Sequence, residues 1–119
     1  YTNEVKENLL QVSHETLEAQ TAVCEDVARQ MALGAIKALN VDFAVSVTGV
    51  AGPGGGTPDI PVGTIWIACG TKDNIRTLKL ENDFGRDINL AIATNKALRL
   101  LLQVVTERLN EDEENEKNP

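Results

Sequence analysis

The chain is poor in the side chains on which most binding chemistries depend. Its aromatics, two Phe, one Trp and one Tyr, make up 3% of 119 residues, too few for a platform on which bases stack. One histidine and two distant cysteines, Cys24 and Cys69, with no CxxC pair, support neither a zinc site nor a disulfide framework. We expect both thiols to be buried, no metal to be held and no cofactor to be needed. Basic runs are absent too, which excludes the electrostatic footprint of a nucleic-acid binder. No apolar run approaches the roughly 18 residues of a membrane span and no charged-then-apolar leader opens the chain, so no membrane partner is expected and the protein is read as cytoplasmic.

What charge there is lies at one end. The formal net charge is -7, and the last nine residues, EDEENEKNP, hold five acids and one lysine, or -4 of it. The other 110 residues are close to neutral, and the acidic end reads as a disordered tail over 110–119. A hydrophobic content of 42% at this length suits one compact domain over 1–109.

Periodicity gives the elements. Val27, Ala28, Met31, Ala32, Ala35, Ile36 and Leu39 recur at spacings of three and four, the signature of an amphipathic helix. Asn40 is its expected stop, and Ser13 the expected N-cap of a short helix that carries His14 on the surface. DFAVSVTGV reads as an interior strand. VGTIWIACG and IRTLKLE, joined through TKDN, read as an antiparallel hairpin. From Gly85 onward, Ile88, Ala91, Ile92, Leu98, Leu101, Leu102, Val105 and Leu109 mark a long final helix with Asp83 as its N-cap. The order predicts an α/β domain with a mixed sheet covered by helices.

Between the first two strands, residues 45–68 hold six glycines and three prolines. The spacing refuses both nucleotide fingerprints: no lysine follows the glycines as a phosphate loop requires, and Thr57 stands where the third dinucleotide glycine would fall. Pro58 and Pro61 also forbid the helix that both motifs run into. What remains is a strand that delivers Thr48 and a run of backbone amides into a crevice. Glycine lets that backbone approach a ligand closely, and successive N–H groups form an anion-binding concavity. Proline keeps it preformed, so less entropy is lost on binding, and a phosphate or carboxylate is the natural guest. A long flexible linker is the bland alternative, and Pro53, Pro58 and Pro61 weigh against it. Ser46, mid-strand, is expected to point into packing rather than act as a nucleophile.

The segment VTGVAGPGGGTPDIPVGTIWIA resembles the signature of the C-terminal domain of CinA, the competence and damage-inducible protein family that includes the nicotinamide-nucleotide amidases. YTNEVK is similar to that family's Tyr-x-Asn-x-x-Lys segment, AVCEDVARQMALGA to its next helix, and FGRD to its late arginine motif, so the likeness spans residues 1–109. It implies a three-layer α/β/α fold, and hydrolysis of the carboxamide of nicotinamide mononucleotide to nicotinate mononucleotide and ammonia. It also implies a Ser/Lys mechanism in which a lysine takes the proton of an attacking serine. Only a lysine whose pKa is lowered has a lone pair to offer. By motif position that lysine is Lys6, assisted by Tyr1. Thr48, Gly49, Ala51, Gly52, Gly54, Gly55 and Gly56 then hold the substrate, with Arg86 against its phosphate.

Three departures accompany the likeness. FGRD reverses the commoner Gly-Asp-Arg order, and Cys24 stands where the family has an N-capping serine. The family's nucleophilic serine lies ahead of the tyrosine, in a Glu-Ser-Cys-Thr-Gly-Gly type segment that this sequence does not contain. The resemblance therefore implies a domain without its N-terminal part, inactive alone, with exposed apolar surface, and a homo-oligomer, a dimer by likeness to the family. A non-catalytic anion-binding or assembly module of the same fold is the competing reading.

Overall fold

The computed structural model describes residues 3–8, 10, 12–15 and 22–117. Within them α1 (Asn3–Asn8) and α2 (Glu25–Leu39) precede β1 (Ala44–Gly49), β2 (Ile65–Thr71) and β3 (Asn74–Leu80), and α3 (Arg86–Lys117) closes the chain. The strands form one sheet in the order β1-β2-β3, antiparallel at both seams, with Val45 opposite Cys69 and Ile67 opposite Leu78. The β2–β3 hairpin is as expected. The parallel strand of a mixed sheet is not among the described strands, and β1, read as interior, lies at the margin of this sheet.

The helices cover opposite faces because side chains alternate along each strand. On one face Ala28 and Ala32 of α2 meet Ala68, with Trp66 and Ile75 packed alongside. Alanine on both sides lets helix and sheet approach closely, and the Ser46 hydroxyl donates to the Ala28 carbonyl at 2.5 Å. Ser46 thus points into packing. On the other face Ile65 and Ile67 meet Ala93 and Ala97 of α3, with Val45, Leu78 and Leu100 around them. Ile67 is fully buried, which stabilises the fold by roughly 1.5–3 kcal/mol. The result is the three-layer α/β/α arrangement.

The ends of α2 follow from its sequence. Glu25 and Asp26 occupy the positive end of the helix dipole, and Cys24 fills the N-cap position without a capping hydrogen bond, as a thiol should. Asn40 closes it in the left-handed region at φ 51°, its N–H donating to the Ile36 carbonyl. A third apolar cluster joins Val12 to Val27 and Met31, with Leu10, Ala22 and Cys24 against it, so the segment after α1 is clamped onto α2. The Ser13 N–H donates to Gln30 Oε1 at 2.6 Å, and helical His14 and Glu15 follow it. His14 is exposed, with Nδ1 2.6 Å from Glu7 Oε1.

α3 differs from its expectation in three ways. Its inward stripe is Asn89, Ala93, Ala97 and Val104, whereas Ile88, Leu98, Leu102 and Leu109, counted among its apolar markers, are exposed. It starts at Arg86 with Asp83 two residues too early to cap it; the Asp83 carboxylate instead accepts the Gly85 N–H at 3.0 Å. Residues 110–117, expected as part of a disordered tail, continue the helix to Lys117. Glutamate is a good helix former and Arg108 pairs with Asp112 one turn on, while the side chains from Leu109 to Glu116 are all exposed. This helix gives the molecule its longest dimension, 53 Å. It is long and apolar enough by composition to cross a membrane, yet Ala93, Ala97 and Leu100 pack on the sheet.

Candidate functional site

The glycine loop is the connection from β1 to β2, and the ladder extends past the strand ends to close its neck. The Val50 N–H donates to the Thr64 carbonyl at 2.9 Å, and the Gly63 N–H to the Val50 carbonyl at 2.8 Å. At the far side Thr57 N–H reaches the Ile60 carbonyl at 2.9 Å, while Ile60 N–H reaches Thr57 Oγ1 at 3.0 Å, a self-contained turn around Pro58. Gly52 and Gly55 sit at φ 89° and 90°, which L side chains rarely adopt, so the path between neck and turn depends on glycine. The Gly52–Pro53 peptide is cis.

Two side chains from the start of α3 hold this path from behind. Arg86 donates from a terminal guanidinium nitrogen to the Gly52 carbonyl at 2.9 Å, and Asn89 Nδ2 donates to the Ala51 carbonyl at 3.1 Å. The carbonyls of Ala51 and Gly52 are therefore directed at α3. Among the described residues, no hydrogen bond takes up the N–H groups of Ala51, Gly52, Gly54, Gly55 or Gly56. Gly54 to Gly56 are exposed. Such a row of unpaired amides is the donor arrangement that anions bind.

The remaining site residues divide by what the geometry does with them. Thr48 is buried, and its hydroxyl donates to the Ala22 carbonyl at 2.7 Å; its proton ties β1 to the segment before α2 rather than waiting for a ligand. Gly49 lies in the ladder opposite Ile65, and a Cβ there would come within 2.7 Å of that side chain. Arg86 keeps further N–H donors beyond the one spent on Gly52. Tyr1 lies outside the described residues.

Lys6 is only 7% exposed, although it sits on a six-residue helix in a polar stretch of sequence. Such a helix is too short to be stable alone. Its carbonyl accepts the Val12 N–H at 2.8 Å, and Val12 is buried against α2, so the lysine is held where that segment docks. Burial disfavours its charged form and lowers its pKa from the ordinary value near 10.5. The structure carries Lys6 with the segment clamped on α2 and anchors the loop from α3. Among the described residues no hydrogen bond joins the two.

Asn89 is the residue that sequence reasoning missed. It is 2% exposed in the first turn of α3, and between Ile88 and Leu90 nothing distinguishes it from a solvent-facing asparagine. Beside it a cavity of about 300 Å³ opens between β3 and α3, lined by Ile65, Leu80, Phe84, Asn89 and Lys96 among others, but by none of the loop glycines 49–56. Among the described residues no cluster of His, Cys, Asp and Glu suits a metal ion.

Comparison with known proteins agrees with this architecture. The CinA C-terminal domain model matches residues 1–105. The chain is 43% identical over 104 residues to the nicotinamide-nucleotide amidohydrolase PncC of Escherichia coli K12, covering 87% of this chain and 63% of that one. It is 47% identical over 87 residues to PncC of Enterobacter agglomerans, covering 73% of this chain and 52% of the relative. Against the crystal structure of the competence/damage inducible protein CihA from Agrobacterium tumefaciens, 87% of this chain superposes on 64% of that one, with a TM-score of 0.84 and 38% identity. The chain thus spans about half to two thirds of the length of these relatives.

Proposed function

We propose, because this chain belongs to the CinA C-terminal domain family, that it is the part of a nicotinamide-nucleotide amidohydrolase that binds the substrate and carries the general base. The names of its relatives PncC support that activity class. On this reading the phosphate of nicotinamide mononucleotide lies on the free amides of Gly54 to Gly56, with Arg86 beside it. The carboxamide faces a serine nucleophile supplied by the Glu-Ser-Cys-Thr-Gly-Gly type segment that the family carries ahead of the tyrosine.

The chemistry needs a neutral amine. A serine hydroxyl attacks the carboxamide carbon, Lys6 Nζ accepts its proton, and the same proton serves the departing ammonia. Water then releases nicotinate mononucleotide. An exposed lysine is almost wholly protonated at neutral pH and cannot begin this sequence. The observation that carries the reading is the burial of Lys6 and the downward pKa it produces. Tyr1 assists by hydrogen bonding, no cofactor or metal takes part, and the reaction belongs to the cytoplasm.

The test is ammonia release from nicotinamide mononucleotide by the full-length protein. Lys6→Ala is expected to lose at least 100-fold in kcat, the scale of a missing general base, with binding of the mononucleotide retained. Undiminished turnover in that variant removes Lys6 from the mechanism. A second reading, an anion-binding module without chemistry, draws support from the loop, whose amides stand free without any help from Lys6. It predicts saturable binding of the mononucleotide and no ammonia even in the full-length protein.

A further inference from the structure

Asn89 spends its whole amide on hydrogen bonds. Nδ2 donates to the Ala51 carbonyl at 3.1 Å and to Asp83 Oδ1 at 2.9 Å, and Oδ1 accepts the Phe84 N–H at 2.9 Å. Two of these bonds join it to its own helix entrance, where Asp83 also receives the Gly85 N–H. The third reaches 38 residues back to the loop. A leucine or alanine would serve α3 better at a position facing the sheet, since asparagine is a poor helix former and a buried amide costs free energy unless bonded. The only one of the three bonds that a helix entrance does not need is the one to Ala51.

That bond acts on the loop through the peptide plane. Holding the Ala51 carbonyl toward α3 turns the N–H of the same peptide, that of Gly52, the opposite way, since C=O and N–H point in opposite directions across a trans peptide. Arg86 holds the next carbonyl, Gly52, from the exposed side, but the peptide that carbonyl belongs to runs into Pro53 and has no N–H to turn. Arg86 can let go and turn to a ligand; Asn89, enclosed and bonded on all sides, cannot. The geometry points to Asn89 as the positioning residue of the glycine loop, the fixed anchor of the Ala51–Gly52 peptide from which the loop runs on to the exposed, unpaired amides of Gly54–Gly56, a preformed donor set for an anionic ligand. The inference deepens the reading of the loop as the phosphate site of a mononucleotide and rests on that reading for the identity of the ligand.

A merely structural role and a positioning role separate in two substitutions. Asn89→Asp keeps the size and the acceptor for Phe84 but removes both donors, so the bonds to Ala51 and Asp83 are lost together. The exchange Asp83→Asn with Asn89→Asp rebuilds a bond between 83 and 89 with donor and acceptor reversed, and still gives Ala51 nothing. Asp83→Ala, at an exposed residue, removes only the bonds at the helix entrance. Each is made in the full chain and read twice: by the backbone amide resonances of Gly52, Gly54, Gly55 and Gly56 without ligand, and by the Kd for nicotinamide mononucleotide.

Asn89→Asp and the exchange are both expected to shift and broaden those four resonances and to weaken binding about tenfold, while the exchange alone recovers melting temperature. Asp83→Ala is expected to lower the melting temperature and leave the four resonances and the Kd in place. The inference is overturned if the exchange restores the resonances together with stability, or if Asp83→Ala moves them as far as Asn89→Asp does. If the unaltered protein binds no mononucleotide but the resonances follow this pattern, the positioning role stands and the assignment of the ligand fails.

Discussion

Replacing Gly34 by alanine should undo the burial of Lys6 from a distance. Gly34 lies buried in α2 where the segment after α1 crosses it, and a Cβ built there falls 1.6 Å from the Leu10 carbonyl oxygen and 2.4 Å from its carbon. An ordinary contact needs about 3.4 Å, and backbone offers no flexible end to swing aside. The segment must lift by roughly 1.5–2 Å. Lifting exposes Val12, worth about 1.5–3 kcal/mol of burial, and breaks the bond from Ser13 N–H to Gln30, worth about 1 kcal/mol. Alanine returns about 1 kcal/mol of helix propensity, leaving a net loss of roughly 1.5–3 kcal/mol. At about 2.1 cal/mol/K per residue, 119 residues melt with an entropy near 250 cal/mol/K, so each kcal/mol moves Tm by about 4 °C. Circular dichroism melts should show a fall of about 6–12 °C, and limited proteolysis should clip the chain before Ala22. A Tm equal to or above that of the parent would mean that the segment is not docked there and that Lys6 is not held by it.

Other expectations follow from the same geometry. Because burial lowers the pKa of Lys6 below 10.5, the native state sheds a proton that the unfolded chain keeps, so stability rises with pH between the lowered value and 10.5. Lys6→Met should flatten that rise in pH-dependent melts. Asp83 is held below its usual 3.8 by the Gly85 N–H and the Asn89 amide, so its contribution is complete above that value and is lost as pH falls through the lowered pKa; melts at pH 5 and 7 should not differ through this group. Gly55→Ala places a side chain at φ 90° and should cost on the order of 1–3 kcal/mol or rearrange the loop, read as a lower Tm or as lost mononucleotide affinity. Cys69 is fully buried, and burial pushes its thiol pKa up, so an alkylating reagent should modify it only as the protein unfolds.

The parts of this fold legible in the sequence are those whose residues declare their environment. The stripe from Val27 to Ile36, the stop at Asn40 and the turn between β2 and β3 each follow from periodicity or turn chemistry. α3 was legible as a helix and illegible as to its face, because the sheet selects small Ala93 and Ala97 for close packing while larger Leu98 and Leu102 face outward. Local composition also misled at the acidic end, where i, i+4 pairing continues the helix through a run of like charge. In the site, glycine and proline announced the loop, but what fixes it did not show. Asn89 and the burial of Lys6 depend on contacts 17 to 38 residues apart in sequence, such as Ser13 with Gln30 and Ala51 with Asn89, which no short pattern encodes.

The direct test of the account is a titration of the isotopically labelled protein with nicotinamide mononucleotide, followed through its backbone amide resonances. The amides of Gly54, Gly55 and Gly56 should move first and saturably, with Gly52 beside them. Resonances that stay still there, or that move instead around the exposed face of α3 at Leu98 and Leu102, would contradict it.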